Sequence, residues 1–312
     1  MPGRGDAGHP EGSDHCAMET QAGGRTSISA REDQVETKDY FKIVDDAYKT
    51  ENNEFIESEI KRAVRLAAEN EGEDSAVYSA MLSELGGLYR GLTRFDECLE
   101  CFTKAAEVMK KAKGADSADY ATCINNRAST YRLMGRFDEA QEELEKCLEI
   151  YEKSVGKKHI LYSAALNNLG MLALNQEDTE AAMQYLTEAA DILRELPGHL
   201  FEYGSSLANT AELYRLLGRY REAEENLLKA KAVYDTELND TYTSHYHAIL
   251  NSLGLVCMAT HRYREAEEWF EKALTACARY FNTEHREYKS TEHNLAVVRS
   301  LMKNDTGDGS LC

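Results

Sequence analysis

The fold is decided by residues 117–158, SADYATCINNRASTYRLMGRFDEAQEELEKCLEIYEKSVGKK. In this stretch Tyr120, Ile124, Ala128 and Tyr131 recur at steps of four, four and three, which places them on one face of a helix. Gly135 interrupts the pattern and suits the left-handed position at which a helix ends. A second helical face follows, made by Phe137, Ala140, Leu144, Cys147 and Ile150. The stretch therefore predicts a helical hairpin. Small residues at Ala128 and Ala140 allow close approach of its two helices, and the larger side chains fill the space to the neighbours.

The same pattern returns along the chain. Tyr78, Tyr120, Tyr162, Tyr203, Tyr246 and Tyr288 are separated by 42, 42, 41, 43 and 42 residues. Phe95, Phe137, Tyr220 and Tyr263 each follow a tyrosine by 17 residues, with Thr179 in that place once. Cys98, Ala140, Ala182, Ala223 and Ala266 come three residues later, and Phe102, Leu144, Leu186, Leu227 and Phe270 four after that. Continued backwards, the register meets Ile56, Ile60, Ala63 and Leu66. Six units are expected, over about 33–74, 75–116, 117–158, 159–199, 200–242 and 243–284. Residues 285–303 keep the register through Tyr288, Leu295 and Ala296 without a second helix, and read as a capping helix. One hairpin cannot cover its own apolar faces, so successive copies are expected to stack with nearest-neighbour contacts.

Composition agrees. The only prolines are Pro2, Pro10 and Pro197, so a long span without one fits a nearly all-helical chain. Residues 1–32 hold no Leu, Val, Phe, Tyr or Trp and are expected to form a disordered tail, as are residues 304–312. Charged residues break every candidate signal peptide, and no apolar run is long enough to span a bilayer, so a cytoplasmic location is expected. A net charge of −19 repels phosphate and argues against nucleic acid and anionic membranes as partners.

At this point the residues resemble a known family. Leu169-Gly170, Leu253-Gly254, Tyr131, Ala140 and Leu144 sit at the offsets of the tetratricopeptide repeat signature. Ala165-Leu166-Asn167-Asn168-Leu169-Gly170 and Gly218-Arg219-Tyr220-Arg221-Glu222-Ala223-Glu224 are similar to the long repeats of kinesin light chains. The resemblance covers about residues 33–303 and implies an all-α fold, a right-handed superhelical solenoid of stacked antiparallel helix hairpins. Two departures bear on local geometry: the first unit lacks the aligned tyrosine, and Glu177-Asp178-Thr179 replaces the glycine-aromatic turn in the unit of residues 159–199.

The resemblance also implies that the first helix of each hairpin lines a concave groove where extended peptides bind. Carried onto this chain, the groove positions are Asn126, Asn168, Asn209 and Asn294, with Asn125, Asn167 and Asn251 one residue earlier. An amide offers a donor and an acceptor together, matching the backbone of an extended chain. The same amides would serve equally to bridge neighbouring helices and tighten the stack. Arg90, Arg132 and Arg215 recur after the tyrosine that closes the first helix. They would attract carboxylate-bearing, acidic peptides, or pair with glutamates of adjacent helices. Trp269 reads as a partly buried residue between units or as an anchor for a partner.

Catalytic constellations are not found. Cys98-x-x-Cys101 has metal spacing, yet it lies mid-helix with no second pair, and neither a nucleotide loop nor a zinc-protease sequence appears. No metal and no cofactor are expected. The sequence thus points to a non-enzymatic adaptor that binds a protein or peptide in its groove. The alternative is a peptide-sensing regulator that acts on an effector partner through a change in superhelix geometry.

Overall fold

The computed structural model describes residues 34–50, 52–237, 244–278 and 286–307. The expected N-terminal tail and residues 308–312 lie outside the described residues. Within them the chain forms thirteen α-helices and no strand. Six hairpins follow one another: α1 (Gln34–Tyr48) with α2 (Asn53–Glu71), α3 (Ala76–Gly91) with α4 (Phe95–Lys113), and α5 (Ala118–Leu133) with α6 (Phe137–Ser154). Next come α7 (Ile160–Asn175) with α8 (Thr179–Glu195), α9 (Leu200–Leu216) with α10 (Tyr220–Glu237), and α11 (Ser244–Ala259) with α12 (Tyr263–Cys277). A single helix, α13 (Arg286–Gly307), packs on α12 and closes the stack. It runs four residues past the end expected at 303, because no proline or glycine precedes Gly307 to stop it.

The two helices of a hairpin bury different amounts of surface. The second helices carry a single apolar stripe, such as Ala182, Leu186, Ala189 and Leu193 on α8. The first helices of the middle hairpins are covered nearly all round, and every residue from Tyr162 to Ala173 of α7 is buried. Contacts between hairpins explain the difference. Successive first helices touch, α3 with α5, α5 with α7, α7 with α9 and α9 with α11, whereas no second helix approaches the next one among the described residues. The first helices therefore lie on the inside of the curve and the second helices splay on the outside. The result is a superhelical solenoid.

The turns of the second to sixth hairpins are closed in the same way, including where glycine is missing. Gly135 and Gly218 adopt the expected left-handed conformation, with φ of 74° and 68°. Thr93, Glu177 and His261 hold the same place in the other repeats with φ of 58°, 62° and 59°. In all five, the next residue donates its backbone N–H to a carbonyl five residues back, as Arg136 does to Tyr131 at 2.8 Å and Asp178 to Ala173 at 2.9 Å. The irregular turn between α7 and α8 thus keeps the common geometry, and Asp178 adds a cap by accepting from the Ala181 N–H at 3.0 Å. A β-branched side chain in the left-handed region costs roughly 1–2 kcal/mol. Thr93→Gly is therefore expected to raise stability by about 1 kcal/mol, read as a higher denaturant midpoint, and an unchanged or lower midpoint would contradict that cost.

Candidate functional site

The inner surface is built from the first helices, and its recurring asparagines form rungs between them. Asn168 Nδ2 donates to Asn125 Oδ1 across α5 and α7 at 3.1 Å. Asn294 Nδ2 and Thr291 Oγ1 both donate to Asn251 Oδ1 across α11 and α13 at 3.2 Å. Between α7 and α9 the donor to Asn167 Oδ1 is Ser206 Oγ, at 3.1 Å. Asn125, Asn126, Asn167, Asn168 and Asn209 are buried, and Asn251 is half-buried. Four of them, Asn125, Asn167, Asn168 and Asn251, thus accept or donate a bond that ties one hairpin to the next. Two amide nitrogens, Asn167 Nδ2 and Asn209 Nδ2, are buried without a hydrogen-bond partner.

The three arginines also meet groups of the protein itself. Arg132 is buried, and its Nη1 donates to Asn175 Oδ1 at the end of α7 at 2.9 Å. Arg215 makes a two-point pair with Glu212 of its own helix, at 2.8 and 2.7 Å. Its guanidinium is held in the charged form chiefly by that carboxylate. Arg90 lies over the Phe102 ring at 5.7 Å from its centre. Tyr48, which is 47% exposed, lies close enough to Glu84 and Arg90 for both charges to act on its hydroxyl.

A second series of arginines carries structural weight that the sequence reading passed over. Arg94, Arg136 and Arg219 precede the second helices and stack on Tyr89, Tyr131 and Tyr214, 4.3, 4.4 and 4.5 Å from the ring centres. Each also pairs with a glutamate three residues on, Glu97, Glu139 or Glu222. Their recurrence at steps of 42 and 83 residues, one and two repeats, was legible, but an arginine at a turn looks like any solvated charge until the ring beneath it is seen. Arg94 reaches further, to Glu57 of α2 at 2.6 Å, where Lys61 also pairs at 2.6 Å. Lys61, then Arg94 and Tyr89, hold the Glu57 carboxyl down at about 2, against 4.5 for an ordinary glutamate. Because the folded value is depressed, this stabilisation is fully present above pH 4.5 and is lost as pH falls through 2. Glu57→Gln is expected to be less stable than the parent at neutral pH, with the difference closing below pH 4.5 in denaturant titrations. A difference that does not change with pH would contradict the assignment.

Among the described residues, the Cys98-x-x-Cys101 pair is not poised for chemistry. Cys98 is buried, with its Sγ 3.2 Å from Thr130 Oγ1, and burial pushes the Cys101 thiol up to about 12. No group of three or more His, Cys, Asp or Glu among the described residues is arranged to hold a metal ion. Nor is any described helix long and apolar enough to cross a membrane. Two cavities open on the outer helices. One of about 720 Å³ lies along α8, beside Met183, Thr187 and Ile192. The other, of about 660 Å³, lies between α10 and α12 and is lined by Tyr246, Leu250 and Trp269. Trp269 is half-buried, with the Lys272 ammonium 4.4 Å from its ring centre.

A stack of antiparallel hairpins with first helices inside and second helices outside defines a superhelical repeat scaffold. Residues 77–153, 123–195, 162–236 and 246–306 match the tetratricopeptide repeat family. The chain belongs to that family. No curated protein sequence matches it significantly. Solved structures share the fold. BtubC (BKLC) from P. vanneervenii is 19% identical with a TM-score of 0.55, over 79% of this chain and 93% of that one. A Rap protein complexed with Competence and Sporulation Factor is 16% identical with a TM-score of 0.58, over 89% and 82% of the two chains. NprR in complex with its cognate peptide NprX is 14% identical with a TM-score of 0.57, over 91% and 84%. At these identities the likeness is one of fold.

Proposed function

We propose that this chain is a non-catalytic interaction scaffold that takes an extended peptide or a helical segment of a partner protein along its inner face. The observation that carries this reading is the asparagine row on successive first helices, with Asn167 Nδ2 and Asn209 Nδ2 left unsatisfied at its middle. A buried amide donor without a partner costs about 1–3 kcal/mol, so an acceptor that reaches it gains correspondingly. The site residues proposed are Asn125, Asn126, Asn167, Asn168, Asn209 and Asn251, with Arg90, Arg132 and Arg215 flanking them. An acidic partner would draw Arg132 and Arg215 away from Asn175 and Glu212, and such binding would weaken as salt is raised.

A second reading is favoured by two of the structural likenesses, one to a protein solved with its cognate peptide and one to a protein solved with Competence and Sporulation Factor. In it, a bound peptide alters the superhelix and thereby an effector-binding surface. Affinity capture from the native cell tests the scaffold reading with two folded variants. Ser252→Arg adds bulk at the asparagine position of α11, and Glu225→Arg changes the outer face of α10. Loss of the partner with the first and retention with the second is expected. The opposite pattern would place the partner on the outside.

A further inference from the structure

The cavity between α10 and α12 is built from residues that depart from the repeat. Its floor is Leu250, which is buried with Ala273 and Ala276, and the Tyr246 and Trp269 rings pack beside it. Trp269 is the one tryptophan of the chain, and the residues in its place before Phe102, Leu144, Leu186 and Leu227 are Cys101, Glu143, Tyr185 and Asn226. The lysine two places after the core residue also sits differently here. Lys104 and Lys146 lie over Tyr78 and Tyr120 of their own hairpins, 5.1 and 5.2 Å from the ring centres. Their counterpart Lys272 lies over Trp269, at 4.4 Å, while the Tyr246 hydroxyl donates to Asp235 of the preceding hairpin at 2.8 Å.

The mouth of the cavity is apolar as well. Glu224, Leu228, Lys231 and Asp235 share one face of α10, at steps of four, three and four. That face looks towards the sixth hairpin, since Glu224 pairs with Arg262 at 2.7 Å and Asp235 accepts from Tyr246. Leu228 therefore stands on the side of α10 that borders the cavity, and it is 44% exposed. A strip of apolar surface thus stays open to water between two helices, and covering it with another apolar face is favourable. Charge selects the occupant. The outer helices α6, α8, α10 and α12 carry 20 acidic and 8 basic residues, whereas the inner helices α5, α7, α9 and α11 carry three of each. At the cavity itself Glu268 and Glu271 are exposed on the rim. A second copy of so acidic a chain is repelled, and residues 1–33, with six acidic and three basic residues, share its sign.

We propose that the cleft between α10 and α12 is a second docking surface, for a basic amphipathic helix of a partner protein. Its large apolar side chains lie against Leu228 and Trp269, and its lysines and arginines meet Glu268 and Glu271. Two helices with an apolar floor between them present a groove into which the ridge of a third helix packs. Lys272, exposed and resting on the Trp269 ring, swings aside as an apolar side chain arrives. The cleft is on the outside of the solenoid and takes a different segment from the inner face, so either surface can fail without the other.

Trp269, as the sole tryptophan, reports on the cleft directly. Its emission in the full chain is followed as a designed, tryptophan-free helical peptide is added, with Leu and Ile along one face and Lys and Arg on the other. One control peptide carries Glu in place of every Lys and Arg, and a second scrambles the basic peptide so that no apolar face forms. A saturable blue shift is expected with the basic amphipathic helix, and binding about tenfold weaker or less with either control. Leu228→Asn and Glu268→Lys change exposed side chains, and each is expected to weaken binding about tenfold. Leu216→Asn, at an exposed leucine that ends α9, leaves binding unchanged. No shift, an equal response to either control peptide, or binding indifferent to Leu228→Asn would overturn the proposal. So would dimerisation of the free chain that Leu228→Asn abolishes, which would assign the cleft to a second copy.

Discussion

Phe270→Ala is expected to destabilise the C-terminal end of the solenoid by about 3–5 kcal/mol, the range for removing a fully buried phenylalanine. Phe270 is 0% exposed and shares a cluster with Cys257, Ala266, Leu295 and Val298, so a single ring joins α11, α12 and α13. Its loss leaves a cavity at the centre of that cluster. Because each repeat contacts only the next, the damage should remain local. Hydrogen exchange is expected to rise sharply in α11, α12 and α13 while α3 to α7 keep their protection. A uniform loss across the chain would mean that the repeats unfold as one unit, contrary to the nearest-neighbour picture.

The glycine facing that ring gives the second large effect. A Cβ added at Gly254 would meet the Phe270 ring at 2.5 Å, too close for any real contact, and the ring is enclosed. Overpacking of this kind costs roughly 1–3 kcal/mol or more, against about 1 kcal/mol gained by replacing a mid-helix glycine with alanine. Gly254→Ala is thus expected to lower stability. At Gly87 of α3 an added Cβ meets nothing within 4 Å, and Gly87→Ala is expected to raise stability by up to about 1 kcal/mol. Opposite shifts of the denaturant midpoint confirm that contact decides the sign. Shifts in the same direction would leave helix propensity as the whole effect.

These contacts also show which parts of the architecture the sequence could disclose. The step from Tyr120 to Phe137 and on to Leu144 reports a helix, a turn and a second helix, because a periodic core must repeat in sequence what it repeats in space. Small residues where the paired helices approach were legible for the same reason, as with Ala128 and Ala140. The turns at Thr93, Glu177 and His261 were not, since their left-handed backbone is imposed by the hairpin rather than favoured by the residue. The site was only half legible. Sequence placed Asn125 and Asn168 on neighbouring inner helices, but two amides 43 residues apart look alike whether they face a ligand or each other. Only the coordinates show the bond between them, and show that Asn209 lacks its counterpart.

The account rests on the inner face being the surface that receives a partner chain. Photo-reactive residues placed one at a time at Glu84 and Ser252 on the inner helices, and at Glu142 and Glu225 on the outer ones, test it directly once a partner segment has been captured. Cross-links to that segment from Glu84 and Ser252, with none from Glu142 and Glu225, are the predicted result. Cross-links from the outer positions alone would contradict the account.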